Sequence, residues 1–350
     1  MADVYMGDDQ TLASISTRLP ATTPKAGRAI FFLPNNTSVP VDDHKEQYST
    51  VKLCMPLRFE ENRDVVTIVG TYCGIVLLHV HVKNTSDTNK TGFSHIVLYN
   101  PCTGMSRSVR DPNSLSCSVY GFGYGKNPSD FKIVRLRKTT YKSSKCTPGV
   151  VSMFYPNSIL VNSYCDVLTL KSSTWITTEI SLDQDAIFCE DNKLGTFLNG
   201  VLYWFASTNI VALSVSDLVT SKINLPNPHS YTNTHLGTWH GYLCMITDTN
   251  NLLDSGHDLW ILKICSVNKS WTKECSFTLG LGVDHITQYR ILNIMGDGRI
   301  LMVDTSSNLI IYHISNRSYK KLNTSGSVID FRIVSGIEYV KSRVSPSELC

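Results

Sequence analysis

One phrase, repeated along the chain, constrains the fold more than any other feature. It joins a glycine-bearing turn to an apolar strand, then a second strand, a polar turn, and an aromatic or aliphatic residue that opens a further strand. Its first half occurs at Leu198–Trp204, Trp239–Met245 and Gly296–Val303. Its second half occurs at Asp166–Trp175, Ile210–Val219, Leu259–Trp271 and Ile310–Tyr319. The second halves recur about every 45 to 50 residues, the length of a four-stranded propeller blade of the kelch kind and too long for a short solenoid repeat. Apolar runs of 5 to 8 residues rich in Val, Ile, Leu and Tyr, bounded by turn residues, are the pattern of strands, and helical periodicity is hard to find.

A single four-stranded sheet exposes two faces, and stacking sheets side by side buries each against its neighbour. The four second halves and the Asn100 region give five units. Strands near Ile30–Leu33 and Val51–Leu57 supply a sixth, so the expected fold is an all-β, kelch-like propeller of about six four-stranded blades. About twenty strands are too many for one sandwich. Asn84–Gly92, Thr139–Pro148 and Thr247–His257 are polar and read as surface loops.

Composition narrows the function. The chain is 42% hydrophobic and 17% charged, enough apolar material for a core. The net charge of +3 comes from scattered cations without a basic stripe, so no nucleic-acid partner is expected. The first nineteen residues lack the apolar run of a signal peptide, and no stretch reaches the roughly 20 apolar residues that cross a bilayer. Eleven cysteines without a CxxC pair read as reduced thiols in the cytoplasm or nucleus. Asn36, Asn84 and Asn268 head Asn-x-Ser/Thr triplets and read as turn residues.

Several runs then carry a family resemblance. Val69–Leu78, Leu98–Thr103, Tyr120–Tyr124 with Asp130–Arg135, Trp175, Phe197–Trp204, Leu259–Lys273 and Tyr339–Pro346 follow, in order, phrases of the plant F-box-associated domain. The Tyr-Gly-Phe-Gly-Tyr phrase is the most specific. The chain resembles that kelch-like family over residues 28–346. The resemblance implies the substrate-binding end of a Skp–cullin–F-box ubiquitin ligase, with Skp adaptor and cullin as partners where an F-box is supplied. Residues 1–27 are too short and polar for an F-box and read as a flexible segment, so ligase activity by this polypeptide alone is not expected. A truncated or diverged remnant is a further reading.

Candidate sites are few. His79 and His81 share one strand face, without a third ligand at useful spacing. Cys102, Cys117, Cys165 and Cys189 read as small apolar fillers. Gly121–Gly125 lacks the Gly-Lys-Ser/Thr ending of a phosphate loop and reads as close sheet packing. The five tryptophans follow the repeat and read mostly as packing between blades. Trp239 and His240, at a turn, are the best candidates for a partner-binding face. Lys132, Arg135, Arg137 and Lys138 on one strand read as a solvated face, or as a contact with an acidic partner. No catalytic residue, metal or cofactor is expected. Two function classes remain: a protein-interaction domain, and a small-molecule- or glycan-binding propeller or enzyme, which needs acids or metal ligands converging on one site.

Overall fold

The structure is a computed structural model. It describes residues 29–34, 51–52, 64–82 (except 73), 93–110, 118–142 (except 128–129), 159–182, 194–226 (except 207), 234–248, 256–278 (except 266–267), 289–304 (except 296–297), 309–322, 333–339 and 343–348. Residues 1–28, and with them the expected N-terminal segment, lie outside this set, as do Asn36, Asn84, Cys117 and Cys189. By backbone packing the chain divides into two compact units, Leu115–Leu225 and Met1–Ser114 with Pro226–Cys350.

All described regular structure is β. After β1 (Ala29–Pro34) and β2 (Val51–Lys52), five antiparallel meanders follow, each four strands in sequence order. The first is β3 (Asp64–Tyr72), β4 (Ile75–Val82), β5 (Phe93–Tyr99) and β6 (Ser106–Arg110). The second is β7 (Ser118–Tyr124), β8 (Phe131–Lys142), β9 (Ile159–Thr169) and β10 (Thr174–Ile180). The third is β11 (Thr196–Leu198), β12 (Val201–Ala206), β13 (Asn209–Ser214) and β14 (Thr220–Asn224). The fourth is β15 (His235–Trp239), β16 (Tyr242–Asp248), β17 (Gly256–Cys265) and β18 (Asn268–Thr278). The fifth is β19 (Tyr289–Ile294), β20 (Arg299–Asp304), β21 (Leu309–His313) and β22 (Ser318–Leu322). The last strand, β23 (Ile333–Tyr339), does not extend this series. It pairs parallel with β1, whose other edge pairs antiparallel with β2.

The expectation of about six four-stranded blades is therefore corrected to five, with a three-stranded sheet built from both ends of the chain. The N-terminal strands near Ile30 and Val51 exist, but among the described residues they are completed by β23 rather than by strands of their own. Two smaller corrections concern boundaries. The glycines of Gly70–Gly74 suggest a turn over all five residues, but Gly70 lies at a register shift inside β3, and Gly74, with φ of 75°, carries the turn. β8 runs to Lys142, so Thr139–Lys142 belongs to a strand.

In a meander, turns one and three of each sheet fall at one end. Most of those described are short, and every described residue in the left-handed region sits in one: Asn199–Gly200 and His240–Gly241 as paired positive φ values, with Gly74, Gly104, Ser173, Leu218, Gly298 and Arg317. The Asn-Pro phrase explains itself at such a turn. Asn100 is fully buried. Its Oδ1 accepts the Cys102 N–H at 2.8 Å, its own N–H donates to the Met105 carbonyl at 2.9 Å, and its Nδ2 donates to the Val344 carbonyl at 2.7 Å. One side chain thus forms the β5–β6 turn and holds a segment 244 residues away. Asn100→Ala removes the side-chain hydrogen bonds to the Val344 carbonyl and the Cys102 N–H, and is expected to lower stability by about 2–3 kcal/mol. A urea-unfolding midpoint equal to wild type excludes the clamp.

Between the fourth and fifth sheets, Cys244, Ile246, Leu259, Ile261 and Phe277 pack against Ile291, Ile300, Met302, Ile310 and Tyr312. In the Leu115–Leu225 unit, Val119, Val134, Leu136, Cys165 and Val167 pack against Leu202, Trp204, Val211 and Leu213. The glycines of the Tyr-Gly-Phe-Gly-Tyr phrase make the second contact possible. A Cβ on Gly121 falls 2.7 Å from Leu202 and 2.8 Å from Trp204, and one on Gly123 collides with the Phe197 ring. Trp204, with no exposed surface, donates its indole N–H to the Tyr120 carbonyl at 3.0 Å. The reading of this segment as close packing therefore holds.

Candidate functional site

The β8 cations part company. Arg135 is fully buried and lies opposite Asp166 in the β8–β9 register, which continues to Thr177 on β10. Its Nη2 and Nε donate to Asp166 Oδ2 at 2.7 and 2.9 Å. Arg137 Nε donates to the same oxygen at 2.7 Å, and Thr177 Oγ1 donates to Oδ1 at 2.7 Å. Arg135 lies 5.4 Å over Trp175, and Arg137 lies 4.5 Å over Tyr164. Burial by itself raises the Asp166 carboxyl. The hydrogen bonds from Arg137 and Thr177, with the charge and hydrogen bond of Arg135, overcome it and hold the group below the ordinary carboxylate value. Arg135 is therefore not on a solvated face. It is spent on an internal carboxylate, and Arg137 is mostly so. Lys132, half-buried on the opposite strand face, lies 3.7 Å from Asp130, and Lys138 also has a partner.

The turn candidates fare differently. Trp239 closes β15, packs against the core between the fourth and fifth sheets, and has a buried indole nitrogen without a hydrogen-bond partner. His240 is exposed, its ring 5.1 Å from that of Trp239. It takes φ of 48° where the equivalent turn of the third sheet uses Asn199. A left-handed conformation costs a non-glycine residue roughly 1–2 kcal/mol, and Asn adopts it more readily than most. The β15–β16 hairpin turn demands that conformation at both His240 and Gly241.

Sequence reasoning missed Tyr242 and Tyr319. Among the described residues the exposed large apolar side chains are Met105, Ile176, Val219, Tyr242 and Tyr319. Met105, Val219, Tyr242 and Tyr319 stand in or beside the first or third turn of their sheets, and Ile176 lies within β10. Alternation carried the signal for Tyr242: it shares a strand face with buried Cys244 but sits at the open end of that face.

Among the described residues no three His, Cys, Asp or Glu side chains come together to hold a metal. His79 is half-buried and has a partner. Burial pushes the Cys165 and Cys244 thiols up to about 12, the charge of Asp166 adding to the first. Both are expected to resist a thiol reagent at pH 8 until denaturant is added. Mass-spectrometric mapping that finds either labelled within minutes in native buffer contradicts this assignment.

A sequence profile of the F-box associated beta propeller domain matches residues 32–345. The chain belongs to the F-box-associated β-propeller family. The four-stranded meanders are its blades. The domain is 24% identical over 302 residues to an F-box/kelch-repeat protein of Arabidopsis thaliana, a match covering 82% of this chain and 71% of that protein. It is 27% identical over 159 residues to the F-box/WD-40 repeat-containing protein 1 of the same plant, covering 44% of this chain and 33% of that one. Among solved structures YjhT overlays with a TM-score of 0.42 at 11% identity, over 87% of this chain and 99% of that one, a likeness too slight to carry an argument.

Proposed function

We propose that this propeller domain is the substrate-recognising part of a Skp–cullin–F-box ubiquitin ligase, a protein-binding module of the cytoplasm or nucleus that performs no chemistry of its own. The family match over residues 32–345 carries the reading, and the F-box named in its Arabidopsis relatives supports it. In this reading residues 28–346 form the binding domain, and an F-box links it to Skp and cullin. The Trp239–His240 turn contributes to the binding face. Of the β8 cations, Lys132 and the outer part of Arg137 are those left to meet a partner.

The test is affinity purification of the tagged chain from plant tissue, read by mass spectrometry. Skp and cullin subunits are expected, together with a protein whose recovery rises when the proteasome is inhibited. Recovery of partner proteins without either ligase subunit leaves a binding domain and removes the ligase.

A further inference from the structure

Among the described residues, the last strand of each meander has a neighbour on one side only, so half of its backbone groups face away from the sheet. Four of these five edge strands carry cations in their sequence: Arg107 and Arg110 on β6, Lys222 on β14, Lys269 and Lys273 on β18, and Lys320 and Lys321 on β22. The β17–β18 pairing also contains a register shift. Charges, lysine above all, and bulges are the devices that keep a further strand from adding to an open edge. β10 has no cation and no bulge. Its sequence, Thr174-Trp175-Ile176-Thr177-Thr178-Glu179-Ile180, holds no Pro or Gly, and six of its seven residues are β-branched or aromatic. Glu179 is its only charge.

This edge is open and already shaped. Thr174, Ile176, Thr177, Thr178 and Glu179 are exposed, Ile176 by 58%. Among the described residues only β9 pairs with β10, in consecutive pairs from Thr174–Thr169 to Ile180–Ser163 without a register shift. In such a pairing alternate residues of β10 turn both N–H and C=O away from β9. Behind the edge, Thr177 Oγ1 donates to the buried Asp166 and Trp175 lies under the Arg135 guanidinium, so the strand is fixed before anything binds. The open stretch is bounded at one end by the turn before Thr174 and at the other by Ser181, whose carbonyl accepts the Thr220 hydroxyl at 3.0 Å. A second copy of this chain meeting it edge to edge would bring 7 residues a side, against the roughly 20–30 of a stable protein interface. An extended peptide segment needs no more than such an edge. Backbone hydrogen bonds supply its affinity, and side chains at alternate positions supply its specificity.

We infer that β10 takes up an extended segment of a protein partner, rich in β-branched and aromatic residues, as a fifth strand of the second sheet. On one face of the sheet the added residues lie beside Trp175, Thr177 and Glu179. On the other they lie beside Ile176 and Thr178, where a β-branched or aromatic side chain covers the exposed Ile176. The inference rests on the binding-module reading and names the conformation and composition of what is bound.

The test pans a display library of random dodecapeptides against the full chain, then measures the recovered peptides by fluorescence anisotropy. Enrichment of Val, Ile, Thr and aromatic residues at alternating positions, with depletion of Pro, is expected, and affinity should be nearly independent of salt. The recovered peptides are then made with N-methyl groups at odd or at even positions. One set should lose binding by more than about tenfold and the other little, because only alternate N–H groups of an added strand face β10. Ile176→Lys, which gives this edge the cation that its counterparts carry, should weaken binding about tenfold. Val219→Lys, at a similarly exposed apolar residue of the third sheet, should have no effect. Hydrogen exchange should slow at Thr174–Ile180 when peptide binds, and circular dichroism should show both variants folded. Failure to enrich any peptide, the same response to both methylated sets, or the same loss in Val219→Lys overturns the inference. Self-association of the full chain, read by sedimentation and abolished by Ile176→Lys, reassigns the edge to a second copy. No enriched peptide while Skp and cullin are still recovered from tissue sinks this inference alone. Peptide protection of β10 without those subunits sinks only the ligase.

Discussion

Replacing Asp166 with alanine is expected to lower the stability of the domain by about 3–5 kcal/mol, a large share of what a domain usually has. Arg135 has no exposed surface, and two of its nitrogens reach the Asp166 carboxylate. Truncating the acid leaves a buried guanidinium without its counter-charge, which costs far more than the pair contributes over an apolar substitute. Replacing both groups, as Arg135→Met with Asp166→Leu, should recover most of the loss. Arg137→Ala should cost less than Asp166→Ala, because Arg137 is partly solvated. Urea unfolding of the single and double variants measures this cycle. If the double variant is as unstable as Asp166→Ala, a cause other than the stranded charge must be sought.

The same carboxylate gives a pH dependence of definite sign. Its folded pKa lies below its unfolded value, so its contribution is complete above the unfolded pKa of about 3.9 and is lost as pH falls through the lower folded value. Asp166→Asn should therefore flatten the dependence of stability on pH below about 4, with little change in slope near neutrality.

The second large effect is expected at Trp204. Trp204→Ala removes a side chain with no exposed surface from between the second and third blades and should cost about 3–5 kcal/mol. Trp204→Phe keeps most of the apolar volume but removes the indole hydrogen bond to the Tyr120 carbonyl, so a smaller loss of about 1–2 kcal/mol is expected. Gly121→Ala, which drives a methyl group against the same indole and against Leu202, should be partly better tolerated when Trp204 is already phenylalanine, the Leu202 contact remaining. Thermal unfolding of the three variants tests the coupling, and simple additivity would show that the indole and the glycine do not meet.

Alternation and punctuation made the blades legible. Glycine turns and short apolar runs placed β12, β13, β20 and β21 almost to the residue, because those strands carry their own local signal, whereas the polar turn expected at Asn268–Ser270 lies inside β18. The closing sheet was only half legible. Ile30 and Val51 announce strands, but nothing near them says that their third partner is Ile333–Tyr339, since pairing between chain ends leaves no local trace. The site divides the same way. Trp239 and His240 were visible as aromatics at a turn. Arg135 was misjudged because a cation beside Lys132, Arg137 and Lys138 looks solvated, and its neutralising acid lies 31 residues on. Tyr242 shares the alternation of buried Cys244 and Ile246 and stands exposed because β16 begins there, while Tyr319 lies on β22, whose described residues are all exposed.

The parallel pairing of β1 with β23 has a consequence during synthesis. Roughly 300 residues separate the two strands, and at ribosomal speeds of about 5–20 residues per second β1 emerges some 15–60 s before the strand that will cover its second edge. Through that interval a nascent domain holding five meanders still presents an unpaired backbone edge, the feature that invites strand exchange and aggregation. Quality control by chaperones therefore has a defined target on this chain. A premature stop codon before Ile333 would leave that target open for good.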